Sequence, residues 1–288
     1  MSMSFQQMRD VSEAVLTSMT EEEFARWRCK EGANVVFHRG CYWEERRFGF
    51  YQPIHLLARL QIQQVTRPLQ FCWGFLASLC EDDAVSANGS IPIHLLSNIQ
   101  NYDLYSVNKN SRQNIRKNRH LFDIVELTGT QLLEEQGYDV FLSAMTRTRW
   151  KSSLSREKYM MKLVDYVVPK RRLILAGFND KKLCGYITGY AINGTAYGED
   201  LYITSEASEY NLNRILLFEF VQICRRSGGI HEFAIGQHWR EKPGVAEFKE
   251  RMGFPITYIP AKVEINPLVE QFIRWKYPHQ YYRLTGHD

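Results

Sequence analysis

The sequence predicts a mixed α/β fold: a sheet with both antiparallel and parallel pairs, flanked by helices. Three observations carry this. The runs RRLILAGF, KLCGYITGYAI and TAYGEDLYIT, within residues 171–204, are β-rich and follow one another at hairpin distance. Leu212, Ile215, Leu216, Phe220 and Ile223 then recur at helical spacing until Ser227-Gly228-Gly229 stops the helix. Finally, HEFAIG, VAEFKERM and FPITYIPAKVEI read as strand, helix and strand. The connection through the first of these helices is too long for a hairpin, so the strands before and after it should run parallel. A sheet that changes from antiparallel to parallel in this way splays at the junction and offers a cleft.

From the amino terminus, residues 5–30 read as helical, with Thr20 and Glu23 at capping-box spacing and acidic residues crowding the first turn. From Asn34 to Ile99 the pattern becomes strand-like in VVFHRGCYWEERRFGFY, HLLARLQI, LQFCWGFLASL and IPIHLLSN. A basic helix, KNSRQNIRKNRHLF, and a strand, FDIVEL, come next. Residues 130–168 are helical with a loop near Trp150 to Ser155, and Pro169 followed by KRR closes that half. Asn179-Asp180 and Asn193-Gly194 join the three β-rich runs, the latter being a favoured type I′ dipeptide. PLVEQFIRWKY reads as a terminal helix. The expected division is 1–128, 129–266, and a terminal helix in 267–288 that packs back on the body. There is no low-complexity segment and no obvious internal sequence repeat.

Composition narrows the function classes. The 288 residues suffice for one large or two ordinary domains, and 44% apolar with 24% charged is usual for a soluble chain. A net charge of +4 does not by itself imply nucleic acid. No secretory leader or membrane-length apolar run is visible, so a cytoplasmic location is expected, with no membrane or DNA partner. The six cysteines lack CxxC pairs and read as reduced, small hydrophobes. Scattered histidines give no metal-ligand spacing. No extended exposed apolar stripe is evident, which ranks a scaffold role last.

Two motifs sharpen the reading: Phe248-Lys249-x-x-x-Gly253-Phe254, and Tyr102-Asp103-Leu104-Tyr105 followed by Arg112-Gln113-Asn114-Ile115-Arg116-Lys117. With the order of elements, they resemble the GNAT acyltransferase superfamily and, within it, the Fem-type aminoacyl transferases. The resemblance spans most of residues 35–265. It implies a tandem of a degenerate and a complete GNAT-like domain. It also implies amide-bond formation by direct attack of an acceptor amine on aminoacyl-tRNA, with no cofactor. One departure bears on the donor. Acetyl-CoA-dependent members carry a glycine-rich loop that holds pyrophosphate before the long helix. Here that stretch is Ser205 to Arg214, without glycine and with two glutamates. The long coiled-coil insertion of some Fem-type proteins is also missing, which gives a peptidoglycan acceptor no support.

The resemblance makes Lys249 the residue that stabilises charge on the carbonyl oxygen, a fixed cation beside a developing oxyanion. The plain alternative is a solvent-facing lysine in EFKER. Glu199 or Asp200 would serve as general base toward the attacking amine. Neighbours on a strand point to opposite faces, so one of the two at most can aim into the cleft. Gln237, His238 and Trp239 follow a strand at its carboxyl end, where open sheets bind ligands, and Phe248 joins them as a substrate-binding residue. Arg112, Arg116 and Lys117, with Lys109 and Arg119, form a basic run suited to tRNA phosphates or a solvated face. Two other readings stand beside the first: a donor carried on CoA or a carrier protein, and an inactive GNAT-like module that binds RNA or phosphate.

Overall fold

The computed structural model describes residues 7–149, 154–164, 166–167 and 170–287. Most of the loop expected near Trp150, and Pro169, lie outside the described residues. In chain order the strands are β1 (Met8–Asp10), β2 (Val35–His38), β3 (Cys41–Arg47), β4 (Phe50–Pro53), β5 (Gly74–Ser78) and β6 (Gly89–Leu96), then β7 (Asp123–Leu127), β8 (Arg172–Asn179), β9 (Lys182–Ile192), β10 (Thr195–Ile203), β11 (Glu232–Gln237) and β12 (Ile256–Ile265). The α-helices are α1 (Glu21–Lys30), α2 (Lys109–Asn118), α3 (Tyr138–Thr148), α4 (Arg156–Leu163), α5 (Ser205–Glu209), α6 (Leu212–Ser227), α7 (Pro243–Arg251), α8 (Pro267–Lys276) and α9 (Pro278–Thr285).

The chain divides into two compact units that interleave in sequence. Residues 1–18, 96–234 and 251–253 form the first; 19–95, 235–250 and 254–288 form the second. The cuts expected after residues 128 and 266 fall inside these units.

In the first unit the strand order is β1-β7-β8-β9-β10-β11. Every adjacent pair from β1 to β10 is antiparallel, while β10 and β11 run parallel through Thr195↔Glu232, Ala196↔Phe233 and Tyr197↔Ala234. The parallel pair is the one predicted, because α6 carries the chain between the two strands. Helix α6 buries Leu212, Ile215, Leu216, Phe220 and Ile223, the residues at helical spacing, and Phe220 stacks on Phe233 at 5.4 Å. The hairpin between β9 and β10 turns through Asn193 (φ 45°) and Gly194 (φ 83°), as the dipeptide foretold.

The second unit is ordered β6-β12-β5-β4-β3-β2. It repeats the same logic in reduced form: β2, β3 and β4 are an antiparallel meander, and β5 is parallel to β4 through Phe50↔Gly74 and Tyr51↔Phe75. Where α6 makes the crossover in the first unit, residues 54–73 do so here without an α-helix. This is the degenerate member of the tandem, and it accounts for one mistaken strand. HLLARLQI lies in this crossover, where Arg59 has φ 50° and the one bridge is Leu60↔Leu79. Leu60, with Ala58 and Ile62 packed alongside, serves the core cluster around Trp43 and Phe75 instead.

Two other expectations are corrected. Helix α1 begins at Glu21 with the Thr20/Glu23 capping box, but the described residues before it form no α-helix. Met8–Asp10 pairs with β7, and the backbone N–H of Ser12 donates to the Asp10 carboxylate at 2.8 Å, a local turn that competes with helix. At the other end the terminal helix is two helices. Pro278, a stop signal for α8, occupies the first turn of α9, where its missing N–H is harmless.

Candidate active site

Helix α7 presents Ala246 and Lys249 to the interior of the second unit, three residues apart on one face. Lys249 is therefore an ammonium at a position whose spacing calls for an apolar side chain, and only 8% of it is exposed. Its Nζ donates to the main-chain oxygen of Gln237 at 3.2 Å. Among the described residues it makes no ion pair and no second hydrogen bond, so two of its three donors remain available. Burial pushes its pKa down to about 8. The backbone opposite is Gly236 at φ 77°, where a Cβ would stand 3.7 Å from Nζ. A side chain there would be strained by the positive φ, while its Cβ would make only ordinary contact with the ammonium. The motif glycine, Gly253, also has positive φ (87°), and a Cβ on it would approach the Ser106 carbonyl oxygen to 2.9 Å.

A histidine pair adjoins this lysine. His94 on β6 is fully buried; its Nδ1 lies 3.0 Å from the Phe254 carbonyl oxygen and its Nε2 lies 3.2 Å from Nδ1 of His238. A carbonyl can only accept, so His94 carries its proton on Nδ1 and accepts at Nε2 from His238 Nδ1–H. That leaves the lone pair of His238 on Nε2. Burial pushes His94 down to about 4, against the bond to Phe254, and the Lys249 charge adds to the effect. His238 is lowered too, by burial first and then by Lys249. Both rings are neutral at pH 7, and His238 is half-buried, so its Nε2 can accept a proton.

The residues around His238 come from α9 as well. The Arg240 guanidinium lies 3.5 Å over the Tyr282 ring, Arg283 lies 4.7 Å over Trp239, and Tyr282 shares a hydroxyl bond of 3.1 Å with Tyr258. Gln237 donates through Nε2 to the Arg283 carbonyl at 3.1 Å, which fixes α9 to the end of β11. Phe248, beside Lys249, is half-buried.

Solved structures are similar to this arrangement of elements over nearly the whole chain. FemX superposes with a TM-score of 0.59 at 9% identity, covering 89% of this chain and 94% of its own. The C-terminal domain (DUF2156) of a protein assigned as a lysylphosphatidylglycerol synthetase from Agrobacterium fabrum gives 0.58 at 10% identity, with 92% and 97% covered. L-PGS from Bacillus licheniformis gives 0.52 at 10%, with 96% and 100% covered. No family model and no curated protein matches the sequence. The fold is GNAT-like and of the Fem type.

On this GNAT-like frame, the carboxylates named from sequence lie in the first unit, at a bulge in β10. Gly198 pairs with Gly189 and Leu201 with Ile187, so Glu199 and Asp200 together oppose Thr188. The bulge interrupts the alternation that would have sent the two side chains to opposite faces, and both charges act on Tyr166. Glu199 accepts from Nε and Nη2 of Arg172 at 3.0 and 3.3 Å, and that guanidinium lies 4.1 Å over the Tyr166 ring. Asp200 accepts from the Tyr202 hydroxyl at 2.9 Å. A proton taken by Glu199 would break its ion pair with an arginine whose side chain is 4% exposed. Glu199→Gln should therefore lower unfolding stability by about 2 kcal/mol, less than a fully buried pair because Glu199 is partly solvated, as read by urea denaturation.

The basic run divides. The guanidiniums of Arg112 and Arg116 lie 4.8 and 5.9 Å from the centre of the exposed Tyr105 ring, while Arg119 is diverted into a 2.6 Å ion pair with Glu219. Lys117 is exposed. Sequence reasoning passed over His94, Tyr282 and Arg283. For His94 a signal existed: it is the one polar side chain in the run Ile91 to Leu96.

Proposed function

We propose that this chain is an aminoacyl transferase that forms an amide from aminoacyl-tRNA and an acceptor amine by direct attack. The observation that carries the reading is the buried, unpaired ammonium of Lys249 beside a histidine whose free lone pair is set by a second, buried histidine. The amine nitrogen attacks the ester carbonyl of the donor, and the two open donors of Lys249 bind the oxyanion that forms. His238 Nε2 takes the amine proton. When the tetrahedral intermediate collapses, the carbon–oxygen ester bond breaks and the departing ribose oxygen recovers a proton from the His238 imidazolium. In this reading Glu199 and Asp200 support the fold, with His238 as the base.

Several features favour a tRNA-borne donor. One fold neighbour is named as a lysylphosphatidylglycerol synthetase, whose product carries a lysyl group. Arg112 and Arg116 beside the exposed Tyr105 ring offer two cations suited to phosphate next to an aromatic side chain. The stretch before α6 has no glycine cradle, and the N–H groups of Asn211, Arg214 and Ile215 bond to carbonyls within it. A pyrophosphate would find few free donors there.

Binding of bulk tRNA and of acetyl-CoA, each at about 50 and 200 mM salt, tests the donor. Micromolar tRNA binding that weakens steeply with salt is expected. Replacing Arg112 and Arg116 together by glutamine should reduce the slope of log K against log salt by about 2. Binding of acetyl-CoA without tRNA would overturn the donor assignment.

A further inference from the structure

Lys249 and His238 meet at one peptide bond. The carbonyl oxygen of Gln237 accepts from Lys249 Nζ at 3.2 Å. The N–H on the other side of that bond belongs to His238 and donates to the Pro92 carbonyl oxygen of β6 at 2.8 Å. The plane of this peptide therefore sets where the ammonium and the imidazole stand. Gly236, at φ 77°, precedes it in a conformation that turns the chain out of β11. Beyond the end of β11 at Gln237 the chain has no regular ladder and relies on individual contacts.

Three of those contacts come from one residue of α9. The Arg283 carbonyl oxygen is among the last four of the helix, which lack an intrahelical partner, and it accepts from Gln237 Nε2 at 3.1 Å. The Arg283 guanidinium donates through Nη1 to Glu241 at 2.7 Å and lies 4.7 Å from the centre of the Trp239 ring. The side chains of this ion pair are 18% and 27% exposed, so salt screens it less than a surface pair. A cation in the last turn is also favoured by the helix dipole. Tyr282, the residue before, receives the Arg240 guanidinium over its ring at 3.5 Å. Gln237, Trp239, Arg240 and Glu241 thus all bear on α9, while His238 Nδ1 is directed to His94. Arg283 holds the start of the loop through its main chain and the far side through its guanidinium.

Granted the oxyanion and base roles of Lys249 and His238, we propose that Arg283 is a positioning residue for the transfer. It clamps residues 237–241 and so keeps both groups in place about the 237–238 peptide. Arg283→Met retains the main-chain bond and removes both guanidinium contacts. Its kcat should fall about 10- to 100-fold, the cost of displacing reacting groups by an ångström or less, with KM changed less than about twofold. Arg283→Lys keeps a cation for Glu241 and Trp239 and should recover most of that loss. Nitrogen chemical shifts of the His238 imidazole, measured without substrate, give a second reading. The wild type should show Nδ1 protonated and Nε2 bare, and in Arg283→Met the two shifts should converge as the tautomers mix. Wild-type kcat and shifts in Arg283→Met would overturn the clamp. So would equal losses in the methionine and lysine variants with a matching fall in melting temperature, the mark of packing alone. A wild-type protein that transfers nothing would fail the transferase reading instead, and the His238 shifts then decide the clamp by themselves.

Discussion

Lys249→Met is expected to remove most turnover while making the protein more stable at pH 7. The methionine fills the same volume but cannot bind an oxyanion, and loss of one such donor costs about 10²–10³ in kcat. The folded lysine titrates near 8 against an ordinary 10.5. That gap corresponds to about 3 kcal/mol by which the fold disfavours the charged amine. Losing the bond to Gln237 O offsets part of it, leaving a net gain of about 1–2 kcal/mol. The sign with pH follows from linkage. Between about 8 and 10.5 the unfolded chain holds more protons, so wild-type stability rises with pH across that window and the advantage of the methionine variant shrinks. Chemical denaturation at pH 7 and near pH 10, beside single-turnover rates, reads both effects. A lysine with a merely structural role would give a less stable variant with near-normal turnover.

His94 is the second place where a large effect is expected, through acid and through orientation. Its folded pKa, about 4, lies below the ordinary 6.5, so the unfolded chain takes up the proton first on acidification. Stability present above 6.5 is lost as pH falls toward 4, by about 3 kcal/mol. In the proposed reaction His94 is a positioning residue, through its contact with His238. His94→Asn keeps a donor for the Phe254 carbonyl and removes the acceptor for His238 Nδ1–H, whereas His94→Gln places its amide nearer the position of Nε2. The asparagine variant should lose about 10² in kcat with a shifted acid limb of the pH–rate profile, and the glutamine variant should recover part of that loss. Equal loss in both, with an unshifted profile, would point to packing alone.

The second half of the chain was legible because its signals are local. The Asn193-Gly194 turn, the apolar spacing of α6 and the length of its crossover sufficed for three antiparallel strands and one parallel pair. The amino-terminal half was less so, since its decisions are made at a distance. Met8–Asp10 is a strand because β7 is there to receive it, and residues 55–62 are irregular because they bridge two parallel strands. The site divides in the same way. Lys249 was singled out by a motif, but its burial depends on which face of α7 turns inward. His238 was named, yet the group that fixes its lone pair lies 144 residues earlier. The ion pair of Glu199 with Arg172 is not disclosed by its own strand, because the partner lies 27 residues earlier.

Strand β12 lies between β6 and β5, so three neighbours in one sheet come from residues 74–96 and 256–265. During synthesis the amino-terminal strands emerge long before the strand that joins them. At about 5–20 residues per second, the roughly 160 residues between β6 and β12 keep β5 and β6 waiting about 8–32 s. Over that interval their facing edges, rich in Phe75, Leu76, Ile91 and Ile93, stand open to the wrong strand. The order of segments thus keeps the sheet of the second unit incomplete until β12 has been made, near the end of synthesis.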